Sequence, residues 1–458
     1  MKESDIEEVL SRGVGAFVDP DNTFRDKLIK KANGEYPEDI VIKLGVDPTR
    51  PDIHLGHAVI LRRLRQFQEL GCKVIFLIGD FTALIGDPSG KSKVRPELEF
   101  KEIQENMKTF IDQVGKILRT DEKVFSWIIN SDWFTNITDI ATDKVLNLKL
   151  DDKPLDPGSF IGKTVLYENS RMQKTHLKKR VIHNVTLNQF LSTLRHITHS
   201  RLIARDLFQD RLNSGGELYM HEMMYPVLQG IDSMILARIY GSCDLEIGGT
   251  DQTFNMLMGR DVMRMSKLPE QAVLALNILP GTDGVEKMSK SLDNYIAITE
   301  SPNEIFGKVM SLPDGLMTQY FTLATYTPLK EVLELETKLS NGKLHPRDLK
   351  QRLAREIVTI YHGEEAAKRS EENFIETFSK GGVPEDILRV TAKNGTKISL
   401  IVLENKLIDS KTEWKRLVDE GAVTNTEDGT KLGLNDTLEK EVTLKIGKRR
   451  FIKISPEK

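Results

Sequence analysis

The chain has little cysteine, no long apolar run and almost no net charge, and each shortage excludes a class of protein. Two cysteines, Cys72 and Cys243, in 458 residues cannot build a four-thiolate zinc knuckle and do not suit a secreted disulfide scaffold. No stretch approaches the roughly 20 apolar residues needed to span a bilayer. The N-terminal MKESDIEEVLSRG is acidic and amphipathic, unlike a signal sequence or an Arg-rich transit peptide. A cytoplasmic protein with no membrane partner is therefore expected. Sixty-five Lys and Arg stand against 68 Asp and Glu, a formal charge of −3. That balance excludes a globally basic nucleic-acid coat, so any RNA contact must come from local patches. The composition is otherwise ordinary, and the length suits about two to four domains with a large core.

The most informative stretch is Ile42–Gly71. Ile42, Leu44 and Val46 alternate with Lys43, Gly45 and Asp47, which predicts a strand with one apolar and one open face. Pro48 and Pro51 end it. After Gly56, the spacing of Ile60, Leu61, Leu64 and Phe67 is helical, and Gly71 is a stop. His54 and His57 thus fall at a helix start, where unpaired N–H groups and the positive end of the helix dipole favour a phosphate. The pattern then alternates. A helical lead-in over 1–40 precedes strand 41–46, helix 57–70, strand 73–79, helix 98–118 and strand 123–129. This predicts an α/β, Rossmann-like domain: a parallel sheet with helices on both faces and a ligand crevice at the carboxyl ends of its strands.

Other stretches carry chemistry. Gly79–Gly90 holds three glycines, Asp80, Asp87 and Pro88 after a strand, the composition of a loop that approaches something closely. Lys163–His183 gathers Lys163, Arg171, Lys174, His176, Lys178, Lys179 and Arg180 and reads as a solvated basic loop or a contact for an RNA backbone. A long helical stretch from Arg201 continues through Tyr219–Asp232. On it Tyr225, Gln229 and Asp232 stand at i, i+4 and i+7, one polar stripe among apolar neighbours, which suits a pocket for a rigid polar ligand. Leu245–Gln252 is a strand ending in a double glycine, with Asp251 and Gln252 beyond it. Gly284–Ser291 places Lys287 and Lys290 on a Ser-containing loop suited to gripping polyphosphate.

In this order, His54-Leu55-Gly56-His57, Tyr225-Pro-x-x-Gln229-x-x-Asp232, Gly248-Gly249-x-Asp251-Gln252 and Lys287-Met288-Ser289-Lys290-Ser291 resemble the signatures of the class I tyrosyl-tRNA synthetases. The resemblance is strong over about 40–335. It implies activation of tyrosine by ATP to tyrosyl-adenylate and pyrophosphate, then transfer to the 3′ end of tRNA(Tyr), with Mg2+ accompanying ATP and no structural metal. It implies that Thr49, His54 and His57 hold the ATP phosphates and that Lys287 and Lys290 close over them. Gly56, Met288, Ser289 and Ser291 complete the ATP site, with Asp251 on the ribose and Gly249 beneath it. Asp87, Tyr225 and Gln229 would hold the substrate ammonium with Asp47 near it, Gln252 would face the carboxylate, and Asp232 would accept the phenol. Thr82 belongs to the pocket. Many members carry a tyrosine that reads the substrate hydroxyl at the position of Lys43. Here the strand alternation would let Lys43 reach Asp232. A homodimer is also implied.

Past 300 the chain becomes helical and charged, with helices expected over Thr327–Leu339 and Asp348–Phe378. The expected division is a catalytic domain over 1–300 with an insertion at about 130–200, a helical domain over 301–380 reaching toward the anticodon arm, a linker over 381–395 and a small α+β domain over 396–458. The last resembles an S4-type RNA-binding domain, with a helix in Ser410–Gly421 and a last strand in Ile446–Lys453. Lys411, Lys415, Arg416, Lys448, Arg449 and Arg450 could form a basic face. The competing readings are a nucleotidyltransferase paralogue that has abandoned tRNA and a non-catalytic RNA-binding relative.

Overall fold

The structure, a computed structural model, describes residues 3–49, 53–89, 100–107, 110–134, 185–289, 292–379, 387–408, 410–447 and 450–457. The basic segment 163–183, most of the expected insertion, residues 381–386 of the linker, and Lys290, Ser291, Lys448 and Arg449 lie outside the described residues. The chain divides into two compact units. One is Met1–Glu300 with Leu312–Leu349, the other Ser301–Ser311 with Lys350–Lys458.

In the first unit the N-terminal segment is not wholly helical, as the sequence suggests. Helix α1 (Glu3–Ser11) is followed by strand β1 (Val14–Val18) and helix α2 (Thr23–Ala32). Strand β2 (Val41–Val46), helix α3 (Leu55–Glu69) and strand β3 (Lys73–Ile78) follow nearly as expected. The short helix α4 (Thr82–Ile85) precedes α5 (Phe100–Met107) and α6 (Phe110–Val114), so the helix expected over 98–118 ends early. Strand β4 (Phe125–Ile129) and helix α7 (Ser131–Phe134) come next. Helix α8 (Leu187–Leu194) follows, and α9 (His199–Ile203), α10 (Asp206–Asn213) and α11 (Met220–Tyr240) divide the long helical stretch expected from Arg201. Strand β5 (Leu245–Gly249), helix α12 (Thr253–Met265) and strand β6 (Ala272–Leu276) complete the sheet, and α14 (Met317–Ala324) and α15 (Leu329–Ser340) pack in the same unit after α13 (Pro302–Met310), which belongs to the other.

The sheet runs β1-β6-β5-β2-β3-β4, parallel except for β1, which pairs antiparallel with β6. Sequence alternation cannot find β6, because Ala272–Leu276 is apolar throughout and wholly buried. β1 is five residues long and defined by a partner more than 250 positions away. β2 is central; on the face expected to be open Lys43 is buried, whereas Gly45 is exposed and Asp47 half-buried. After β2 the chain builds β3 and β4 on one side and later β5 and β6 on the other. Chain order therefore reverses between β2 and β5, where such sheets open a crevice.

The second unit contains α13, α16 (Pro346–His362), α17 (Glu364–Ser379), β7 (Leu388–Ala392), α18 (Ile398–Glu404), α19 (Lys411–Asp419), β8 (Val423–Asn425), β9 (Val442–Ile446) and β10 (Arg450–Pro456). The helix expected over 348–378 is broken at Gly363, whose φ is +86°. The last strand expected over 446–453 falls on the end of β9 and the first half of β10, which pair antiparallel. The sheet order is β7-β10-β9-β8. Ile398, Trp414, Leu417, Leu444 and Ile452 share a buried core beneath it.

Arg12 joins the two ends of the first unit. Its guanidinium donates to the carbonyls of Thr322 (2.8 Å), Phe321 (2.9 Å) and Thr325 (3.2 Å) at the C-terminal end of α14 and is almost buried. The last carbonyls of a helix lie beyond the reach of a next-turn N–H, and here the guanidinium, with the Thr325 hydroxyl on Phe321 O (2.8 Å), meets them. Arg12→Met should destabilise the first unit by about 2–4 kcal/mol, lowering its urea midpoint. Arg65→Ala, which loses an exposed pair with Glu69, should change it by less than about 0.5 kcal/mol. Equal midpoints for the two variants would refute the assignment.

Candidate active site

A cavity of about 580 Å³ opens at the carboxyl ends of β2 and β5, and nearly all the described residues of the four motifs line it. β2 delivers Asp47 and Thr49, the start of α3 delivers His54, Gly56 and His57, α11 delivers Tyr225, Gln229 and Asp232, and β5 leads to Gly249, Asp251 and Gln252. Lys287, Met288 and Ser289 close one side.

The two histidines are stacked, with ring centroids 3.9 Å apart. His57 Nδ1 faces the backbone N–H of His54 at 3.4 Å, a long contact. Gly56 is required by this stack: a Cβ there would stand 3.0 Å from the His54 ring. The segment after the lysine loop is anchored to the same turn, since Leu55 N donates to Ile296 O (2.9 Å) and Ile298 N to Ile53 O (3.1 Å). Two motifs more than 200 residues apart therefore share one scaffold. Lys287 Nζ lies 2.5 Å from Asp251 Oδ2. In this arrangement Lys287 is held on the expected ribose acceptor and not over a phosphate position.

The polar stripe of α11 divides between two ends of the cavity. Tyr225 Oη donates to Asp47 Oδ2 and Thr82 Oγ1 to Asp47 Oδ1, both at 2.8 Å. Asn130 Nδ2 donates to Thr82 Oγ1 (3.0 Å) and approaches Asp232 Oδ2 (3.3 Å). Trp133 Nε1 donates to Asp232 Oδ1 (2.9 Å). Asp87 accepts from Gln252 Nε2 (2.6 Å) and from the backbone of Ser89 (2.9 Å). Asn255 Nδ2 reaches both Gln229 Oε1 and Gln252 Oε1 at 3.1 Å. Burial pushes the Asp232 carboxyl up to about 7, against the opposing influence of Lys43 and of its Trp133 and Asn130 donors.

Lys43 does not bond Asp232, as the strand alternation suggested. Its ammonium pairs with Glu246 Oε1 at 2.9 Å, and both side chains are buried. In the register of β2 and β5, Lys43 stands opposite Glu246. Sequence reasoning missed Glu246, Asn130, Trp133, Ser233 and Asn255. A signal existed for Glu246: it and Lys43 are isolated opposite charges inside two otherwise apolar strands. Nothing local marked the others.

The family whose model matches residues 36–379 is described as tRNA synthetases class I (W and Y). The tyrosine–tRNA ligase of Desulfotalea psychrophila is 38% identical over 437 residues, covering 94% of each chain. That of Moorella thermoacetica is 39% identical over 451 residues, covering 97% of this chain and 94% of the relative. Among solved structures, a C-terminally truncated mitochondrial tyrosyl-tRNA synthetase of Aspergillus nidulans aligns with a TM-score of 0.55 at 21% identity. It covers 82% of this chain and 95% of its own, a likeness of fold.

The raised pKa of Asp232 fixes the sign of a pH effect. The folded chain binds this proton more tightly than the unfolded chain, so the group's contribution to stability falls as pH rises from about 3.8 to about 7. Asp232→Asn should therefore gain on the wild type by about 2–3 kcal/mol between pH 5 and pH 8, read from urea unfolding at each pH. A difference that shrinks with rising pH would contradict this.

Proposed function

The chain belongs to the class I tRNA synthetases of the tryptophan and tyrosine group, and we propose that the cavity between β2 and β5 is where its two reactions run. It is a tyrosine–tRNA ligase, matching such enzymes over nearly its full length. It activates tyrosine with ATP and transfers tyrosine to tRNA. The observation that carries the site assignment is Asp232. It is a buried carboxylate in the cavity wall, already oriented by Trp133 and Asn130, with the Tyr225–Asp47 pair toward the other end of the same helix stripe.

In the assignment we make, Asp232 accepts the phenol O–H, while Asp87, Tyr225, Gln229 and Asp47 hold the ammonium. Thr82 and Asn130 link the two ends, and Gln252 steers the carboxylate. An oxygen of that carboxylate attacks the α-phosphorus of ATP in line, and the bond to pyrophosphate breaks as the new one forms. No protein group becomes covalently attached. The rate comes from orientation and from cations meeting charge on the leaving pyrophosphate. His54, His57 and Thr49 meet that charge at the helix start, with Gly56 beneath. Lys287 must leave Asp251 to join them, which frees that carboxylate for the ribose over Gly249. Met288, which is buried, seats the loop, and Ser289 donates its backbone N–H to Asn294 Oδ1 at 2.8 Å, fixing the loop's exit. Lys290 and Ser291 take the phosphate roles the motif gives them. Mg2+ enters with ATP as part of the substrate. In the second step a terminal hydroxyl of tRNA attacks the acyl carbon and AMP leaves.

The proposed division of labour is catalysis over 1–300, a helical anticodon-arm domain over 301–380, a linker over 381–395 and an S4-like RNA-binding domain over 396–458. Support for the last is its separate core and the exposure of Lys411, Lys415 and Arg416 opposite the buried Trp414 and Leu417 on α19. Arg416 also pairs with Glu420 at 3.3 Å. Arg450 is spent within the fold, on Glu413 and the Leu407 carbonyl. Lys448 and Arg449, which lie outside the described residues, are proposed for RNA binding on the sequence alone. We propose a cytoplasmic homodimer, supported by the exposed Leu187 and Leu191 one turn apart on α8. Among the described residues no helix is long and apolar enough to cross a membrane.

Amino-acid-dependent ATP–pyrophosphate exchange with tyrosine, phenylalanine and tryptophan tests the site. Asp232→Ala should lower kcat/KM for tyrosine at least ~100-fold while changing the KM for ATP less than ~3-fold. Exchange that survives this change would sink the assignment. Replacing Lys411, Lys415 and Arg416 together by Ala should leave exchange intact, raise the KM for tRNA and flatten its salt dependence by roughly two to three charges. An unchanged tRNA KM would remove the S4-like reading of this face.

A further inference from the structure

Lys43 is 0% and Glu246 1% exposed, and neither touches the phosphate end of the cavity. A clamp serving only the sheet would tie β2 to β5 and stop there. This one does not. The Lys43 ammonium has three donor positions, and only one goes to Glu246. The other two reach Gln229 O and Ser233 Oγ, each at 2.9 Å, on α11. Those two residues stand on either side of Asp232 in the helix. Glu246 repeats the pattern: it accepts from Gln229 Nε2 (2.9 Å), Ser233 Oγ (3.1 Å) and Gln271 Nε2 (2.5 Å). Two strands and one turn of α11 are therefore closed into a single hydrogen-bonded network.

We propose that the Lys43–Glu246 pair is a positioning element for amino-acid selection: it fixes the turn of α11 that carries Gln229 and Asp232, so that the phenol is read by Asp232 alone. Lys43 acts through others and does not touch the substrate hydroxyl. Because a full set of partners holds Gln229 and Ser233, Asp232 cannot follow a ligand that lacks the hydroxyl by relaxing its backbone. The groups around Asp232 agree with this division. Lys43 from β2 and Glu246 from β5 act on it at a distance, while Trp133 from α7 and Asn130 beyond β4 bond it directly. The direct donors set the carboxylate's orientation, and the ion pair sets where its helix turn sits. Leaving one member of the pair alone would strand a buried charge, whereas neutralising both removes that cost.

This inference rests on the tyrosine-activating reading, and the experiment separates the two. Wild-type enzyme is first assayed for tyrosine- and phenylalanine-dependent pyrophosphate exchange. Absence of tyrosine exchange overturns the functional reading and the inference with it. The double variant Lys43→Met/Glu246→Gln removes the pair without leaving a bare charge. It should unfold cooperatively, keep its KM for ATP within ~2-fold, raise the KM for tyrosine ~10-fold or more, and lower the tyrosine-to-phenylalanine ratio of kcat/KM by at least ~10-fold. Ser233→Ala removes only the hydroxyl shared by the pair and should raise the tyrosine KM about 3-fold with cooperative unfolding retained. If the double variant does not fold, Ser233→Ala decides alone. Wild-type tyrosine KM and wild-type selectivity in the variants that fold would show that the pair merely holds the core, and would overturn the inference while leaving the function standing.

Discussion

Burying an ammonium and a carboxylate costs on the order of several kcal/mol per ion unless their remaining polar atoms also find partners. Lys43 and Glu246 meet that condition only by drawing in Gln229, Ser233 and Gln271. The consequence is geometric. β2, β5 and α11 cannot shift separately, since any relative movement leaves a buried charge short of a hydrogen bond. Everything the cavity does with a side chain is referred to that junction, because Tyr225, Gln229 and Asp232 ride on α11 while Asp47 and Asp251 follow the two strands.

The same junction is where chain order in the sheet reverses, the place where such sheets open a ligand crevice, and the cavity opens there. The strand β2 runs on into the His54–His57 helix start, which offers backbone N–H groups and imidazoles to anionic groups. The strand β5 runs on into Gly249–Gln252, which offers carboxylate and amide. One opening thus holds a donor-lined side and an acid-lined side within a single cavity of about 580 Å³. Lys287 already bridges them by pairing with Asp251.

Asp232 shows how environment decides the role of a carboxyl group. Asp87, with three donors within reach, and Asp47, with a phenol and a threonine hydroxyl on its two oxygens, are satisfied by short polar contacts. Asp232 is buried deeper, and burial outweighs its two donors and the Lys43 charge. A carboxylate that is costly to keep ionised gains most from an additional donor, which is the role proposed for a substrate phenol.

The sequence alone carried what is local or strongly patterned. The β2–α3 unit, the helix start at His54 and His57, the i, i+4, i+7 stripe on α11, and the order of four motifs were all legible, because each depends on periodicity, turn chemistry or fixed spacing. Only the tertiary structure decided the rest. β1 and β6 define each other across the chain, and a fully apolar strand has no alternation to read. Asn130, Trp133 and Asn255 carry no local mark, since their importance lies in what they face. Lys43 is the clearest case: its position was readable and the sequence held a charge signal for Glu246, but not the Gln229 and Ser233 partners on α11. A buried ammonium goes to the place where all three of its donors are met, and that place exists only once β5 and α11 have packed against β2.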